Sequence, residues 1–261
     1  MYKALQKNKD EQKNMHLREI LLNEDKGAAE LLRSTLKWLE QHPDTLDEVQ
    51  LENTLKILRT TRPAMVGFRV LADRIEHDLF AFPQESLAEI VRQLFHRFNQ
   101  AKTQMVRNAR DRLQEKEYHT VVTLSRSSAV LGVLEALTRD RVSVHVLESN
   151  PGGEGRFTYE QLRHAGIEAA LYQDYDMEQA VQTADAGLIG ADILFPDGCV
   201  YNKVLSRKLG ETLRDNGKSL YVVASTWKRA DYPADKHRVP GKDRYLFEMV
   251  PAAVITEIIT E

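Results

Sequence analysis

The sequence predicts an α/β protein in two parts, a helical domain over residues 1–115 followed by a parallel-sheet domain over residues 116–261. Three observations carry this. Apolar residues recur at helical spacing through the first part. From Tyr118 onward short β-rich runs alternate with helical segments, the pattern of a parallel sheet covered by helices on both faces. At 261 residues the chain is also long enough to bury a sizeable core.

The helical part reads as successive amphipathic segments. AELLRSTLKWLEQH (29–42) sets Leu31, Leu32, Leu36 and Leu39 on one helical face. Pro43 marks a break, and the acidic DTLDEVQLENTLKILR segment forms a second helix. A third follows Arg62 and Pro63, because proline is tolerated in a first helical turn, and it runs to Pro83. Ser86 is the expected N-cap of a long fourth helix, with Glu89 as its capping-box partner. The charged ARDRLQEKE end of that helix connects the two parts.

In the second part the strand candidates are HTVVTL, VSVHVLE, IEAALYQD, AGLIGAD and SLYVVAS. Between them lie SAVLGVLEALTRD, RFTYEQLRHAG, MEQAVQTA and NKVLSRKLGETLRDNG as helices. This is a Rossmann-like arrangement, in which ligands bind beyond the carboxyl ends of the strands, near the point where the strand order reverses.

Composition narrows the function classes. A net charge of −3 excludes a generally basic nucleic-acid binder, so no direct nucleic-acid partner is expected. One cysteine, Cys199, rules out an intramolecular disulfide and a cysteine-based zinc site; no metal is expected. The polar N-terminus carries no apolar run of signal-peptide type, and no stretch approaches the roughly 18 apolar residues of a membrane span. A cytoplasmic protein without a membrane partner is the expectation.

The strand ends carry the candidate site. Ser125, Arg126 and Ser127 lead from the first strand into a helix, whose exposed N–H groups and dipole favour phosphate. Simple capping by serine would explain the same residues. After the second strand, Glu148 opens a segment with Gly152, Gly153 and Gly155 that permits close backbone approach, and Arg156 follows it. A flexible loop ending in a solvated arginine fits equally. The spacing is not that of a dinucleotide fingerprint, so no nicotinamide cofactor is expected, nor any other. Asp192 ends the fourth strand, where a carboxylate suits general acid/base work, and Asp197-Gly198 marks a hairpin turn. Asn202 and Lys203 then open the next helix. A lysine there opposes the helix dipole and suggests a nearby anion. Hydroxyls, cations and one carboxylate together point to a phosphorylated, polyhydroxylated small molecule.

These same residues resemble the initiation factor 2B superfamily, which also contains methylthioribose-1-phosphate and ribose-1,5-bisphosphate isomerases. The resemblance lies in GADILFPDGCVYNK, with Asp192 and Asn202 ten residues apart, in ESNPGGEGRFTYEQL, in LYVVAST and in the closing FEMVPAAVITEIITE. In the helical part Thr61-Arg62-Pro63-Ala64 is similar to an element that reaches over the ligand. The resemblance implies a homodimer or larger oligomer, with Arg62, Arg156, Asn202 and Lys203 around a sugar phosphate. In the isomerases a cysteine at the end of the first strand works opposite the aspartate. Here Ser125 holds that position, and its hydroxyl needs a neighbouring base to react. Leu124 replaces the usual histidine before it, and Asn150 stands where arginine usually precedes the proline.

Two functions follow. The serine at the thiol position favours a factor-2B-like protein that binds a sugar phosphate or nucleotide for regulation, which would require a translation-factor partner. The retained Asp192, Asn202 and Lys203 support the alternative, an isomerase converting an aldose 1-phosphate to a ketose phosphate, with Asp192 and Ser125 as the catalytic candidates.

Overall fold

A computed structural model describes residues 15–23, 26–42, 48–137, 142–238 and 245–261. The expected break at Pro43, the first residues of the second helix and the TRD end of the helix after the first strand lie outside them. The chain divides into two compact units, Met1–Gln100 and Ala101–Glu261.

The first unit is helical. Helical residues 15–22 precede α1 (Ala28–Gln41), α2 (Glu48–Thr61), α3 (Val66–Ala81) and the first half of α4 (Leu87–Gln114). Leu31, Leu32, Leu36 and Leu39 are buried, as their spacing requires. Pro63 sits in a turn closed by the Met65 N–H on the Arg62 carbonyl, so α3 begins three residues beyond the proline. Ser86 caps α4 by accepting from the Glu89 N–H at 3.2 Å, while the Glu89 carboxylate pairs with Arg92 one turn on. Arg59 of α2 grips both Asp73 (2.8 Å) and Glu76 (3.0 Å) of α3.

The second unit carries six parallel strands in the order β3-β2-β1-β4-β7-β9. They are β1 (Thr120–Leu124), β2 (Ser143–Leu147), β3 (Ala169–Tyr172), β4 (Ala186–Ile189), β7 (Ser219–Val223) and β9 (Glu257–Ile259). Side chains alternate between two cores with the pleat. Val121, Leu188, Tyr221 and Val223 face Met105, Ala109 and Leu113 of α4, with α5 (Ser128–Ala136) and α6 (Glu154–His164). Val122, Ile189, Leu220 and Val222 face α7 (Met177–Gln182) and α8 (Ser206–Asp215). Both faces are covered, which is why the strands read as nearly unbroken apolar runs. No helix among the described residues is long and apolar enough to cross a membrane.

A second, three-stranded sheet joins β5 (Ile193–Leu194), β6 (Val200–Lys203) and β8 (Phe247–Val250) in antiparallel order β5-β6-β8. Its hairpin turns at Asp197-Gly198, with Gly198 at φ +81 and its N–H on the Phe195 carbonyl. The sheet corrects the expectation that Asn202 and Lys203 open a helix. They end β6, paired with Glu248 and Phe247, and α8 starts only at Ser206. Their pairing partners lie some 45 residues on, which helical periodicity cannot register.

Two contacts fix how helices meet this sheet. Lys218, just before β7, donates to the carbonyls of Val181 (2.7 Å), Gln182 (2.6 Å) and Ala184 (2.6 Å), satisfying the orphan C-terminal carbonyls of α7. Gly155 presses α6 against the end of β2: its N–H donates to Glu148 O at 3.0 Å, and a Cβ there would stand 1.9 Å from Leu147 O. Lys218→Met should cost about 2 kcal/mol and lower the melting temperature by about 4–8 °C in a thermal unfolding scan. Gly155→Ala should cost about 3 kcal/mol or more in denaturant unfolding, because backbone rather than a side-chain tip must give way.

Candidate functional site

The strand order reverses between β1 and β4: the chain leaves β1 towards β2 and β3, and returns through α7 to β4 on the other side. Open α/β sheets bind ligands at the carboxyl ends of such a pair. Ser125–Ser127 follow β1 and Gly190–Asp192 follow β4. The two ends touch. A Cβ on Gly190 would lie 2.5 Å from Ser127 Oγ, so glycine is what lets the β1 loop close over β4. Ser127 also caps α5, accepting from the Val130 N–H at 3.4 Å, as the capping reading of this serine allowed. Ser125 stands in the left-handed region (φ +61), with its N–H on Ser149 Oγ (2.6 Å) and its carbonyl accepting from Thr158 Oγ1 (2.7 Å). That conformation costs a non-glycine residue about 1 kcal/mol, and the two hydrogen bonds hold it. The Arg126 guanidinium lies 3.8 Å over the Phe157 ring of α6, in cation–π geometry.

The segment after β2 is pinned from below. Asp174, at the end of β3, accepts from the N–H groups of Ser149 and Asn150, each at 2.7 Å. Ser149 is fully buried. Glu148, itself buried, pairs with Arg156 and accepts from Asn150 Nδ2 at 3.0 Å. Arg156 is exposed to solvent, as the solvated reading of this arginine allowed, and its charge is balanced by Glu148. The Gly155 N–H is spent on Glu148, so this glycine serves close packing. Asp174, Ser149 and Thr158 escaped sequence reasoning. The signal for the first of them is an aspartate just beyond the third strand.

Lys203 is 3% exposed, and its ammonium donates to Pro151 O at 2.6 Å and Glu154 Oε1 at 2.7 Å. The anion inferred beside it exists within the chain, as Glu154. Asn202 Nδ2 donates to Ser206 Oγ at 2.9 Å, and Ser206 donates to the Lys203 carbonyl at 2.6 Å, which shapes the turn into α8. The hairpin pairs Ile193 with Tyr201 and Leu194 with Val200, and just before it the Asp192 N–H donates to Tyr201 O at 2.8 Å. Lys228, in the bend after β7, donates to Ala191 O at 2.5 Å. Ser225 and Thr226 of that bend are held by the Glu261 carboxylate. Cys199 lies three hairpin positions from Asp192, about 10 Å along the strand, and burial pushes its thiol up from the ordinary value.

The second unit thus carries Ser125 and Ser127 after β1, Glu148 after β2, Arg156 in the first turn of α6, Asp192 after β4, and Asn202 and Lys203 at the end of β6. Arg62 belongs to the first unit, between α2 and α3, where its Nε is buried without a hydrogen-bond partner among the described residues. Among those residues no group of three or more His, Cys, Asp or Glu is placed to hold a metal ion. The arrangement offers hydroxyls, cations already balanced by carboxylates, and Asp192 at the switch point.

Comparison with known proteins agrees with this fold. Ribose 1,5-bisphosphate isomerase of Archaeoglobus fulgidus is 26% identical over 89% of this chain and 76% of its own length. A protein of Pyrococcus horikoshii described as a putative translation initiation factor eIF-2B subunit 2-like is 26% identical over 94% of this chain and 93% of its own. The crystal structure of the Pyrococcus horikoshii OT3 translation initiation factor eIF-2B superposes with a TM-score of 0.79 at 25% identity, covering 94% of this chain and 93% of that one. The model of the Initiation factor 2 subunit family matches residues 26–244. Since that match takes in most of the helical unit and most of the sheet, the chain belongs to the Initiation factor 2 subunit family.

Proposed function

We propose that the strand-end site of the second unit takes a phosphorylated pentose and isomerises it from aldose to ketose, with Asp192 moving the proton between adjacent carbons. The observation that carries this is Asp192 itself. A carboxylate at the switch point of a doubly wound sheet, its backbone N–H anchored on the neighbouring hairpin strand at Tyr201 O, is where general acid/base chemistry on a bound ligand belongs. The similarity to a ribose 1,5-bisphosphate isomerase over 89% of the chain supports it, ahead of the regulatory binder that the serine at the thiol position favours.

In this reading Arg126, Arg156 and Lys203 balance the phosphate charge, while Ser125 and Ser127 meet hydroxyl or phosphate oxygens. Proton transfer between two carbons needs one group to take the proton and one to return it. Asp192 is one. Ser125 is the other candidate, and its hydroxyl is a much weaker acid than a thiol of pKa about 8.5, so it works as a relay that borrows a neighbouring base. The homo-oligomer implied by the family resemblance belongs to the same proposal, and sedimentation would read it.

A second reading, binding without turnover, is favoured by Ser125 at the thiol position and by the translation-factor relative that matches over nearly its whole length. NMR of the protein with ribose 1,5-bisphosphate separates the two. A ketose product supports the isomerase; ligand line-broadening with no product supports the binder. Asp192→Asn should lower turnover by about a thousandfold or more while leaving the dissociation constant within about threefold. Lys203→Ala should weaken binding by about 1.5–3 kcal/mol in titration calorimetry, the range of a charge-assisted hydrogen bond. Unchanged affinity would remove the lysine from the site.

A further inference from the structure

We propose that Glu154 is a specificity-determining residue: a resident anion on Lys203 that a ligand must displace, which admits a phosphate dianion and excludes carboxylate ligands. The inference rests on the proposed sugar-phosphate site and goes beyond it by naming what that site rejects.

Lys203 is nearly fully buried, and two of its three N–H donors are spent on Pro151 O and Glu154 Oε1. The pair is unequal. Lys203 is 3% exposed, whereas the Glu154 side chain is 36% exposed and stands in the first turn of α6, beside the glycine segment. Glu154 Oε2 is buried and has no hydrogen-bond partner among the described residues. A carboxylate that leaves one oxygen desolvated and unpaired is held below its full hydrogen-bonding capacity. The glycine segment leaves room for it: at Gly152, with φ +112, a Cβ would stand 2.8 Å from the carboxylate and push it aside.

The consequence is a competition. A carboxylate tethered beside the lysine acts at an effective concentration on the order of millimolar or above. A sugar acid brings the same group with the same single charge, so exchange gains nothing and the tethered group prevails. A sugar phosphate brings up to two charges and three acceptor oxygens, enough to take Lys203 while Glu154 turns outward to water. Arg156 is balanced in the same manner by Glu148, but that carboxylate is buried and also holds Asn150, so it is fixed where Glu154 can move.

The test measures calorimetric affinity of the full chain and of Glu154→Gln for two probes, ribose 1,5-bisphosphate and ribonate. In the variant, affinity for the phosphate should rise about tenfold and ribonate binding should become measurable, narrowing the ratio between the probes. Unchanged or weaker phosphate affinity in the variant overturns the displacement while leaving the site intact. A wild-type chain silent toward the phosphate, with a variant that binds it, supports the displacement. Silence of both proteins toward both probes overturns the proposed site, and the displacement with it. Glu154→Ala, checked for folding by thermal unfolding, gives the same readout should the amide disturb the fold.

Discussion

The strand ends of β1 and β4 can meet only because Gly190 has no side chain, and the candidate site depends on that approach. Ser127 occupies the space a Cβ would need, so the loop that follows β1 lies against the segment carrying Asp192. The sheet order makes this the place where its winding reverses. Packing on both faces makes the sheet rigid, with Val121 and Leu188 in one core and Val122 and Ile189 in the other. A rigid sheet ending in short polar loops is a suitable platform for a ligand, because the loops inherit their positions from strands that cannot shift.

Around that platform charge is matched within the chain. Arg156 pairs with Glu148, and Lys203 with Glu154. A buried ammonium without a counter-charge would lower its own pKa or destabilise the fold, so Lys203 requires an anion whenever it is enclosed. The chain supplies one from the glycine segment, and this ties the charge of the hairpin to the conformation of the loop after β2. The carbonyl of Pro151, accepting from the same lysine, fastens the loop a second time. Backbone donors of the segment are satisfied too, by Asp174 beneath Ser149 and Asn150. The loop is thus held by side chains from β6 and from the turn after β3 as well as by its own contacts.

Much of this was legible in the sequence. The core strands were, since Thr120–Leu124 and Ser219–Val223 carry apolar residues on both faces and lie between helical runs. Ser86 as a cap and Asp197-Gly198 as a turn are local chemistry, and both appear as read. The closing FEMVPAAVITEIITE segment was less transparent. It holds β8 and β9, which belong to different sheets and are separated by Pro251 and a short turn, so no sustained period marks either. Asn202 and Lys203 looked like the start of a helix because the helical pattern of α8 runs on from them. Pairing with Glu248 and Phe247 decided otherwise.

The sequence by itself determined the two-part organisation, the parallel sheet and the types of group at its ends, because hydrophobic periodicity, turn residues and caps act within a few residues. It also determined that no thiol follows β1. Tertiary structure alone decided which charges meet. Lys203 and Glu154 lie 49 residues apart, and Ser149 and Asp174 lie 25 apart, so no local rule connects them. Nor could the sequence show that Gly155 serves contact with Leu147 O while Gly190 serves contact with Ser127. The physical reason is common to all of these. Hydrogen bonds and ion pairs act over a few ångströms, and only the winding of the sheet sets which distant residues come within that range.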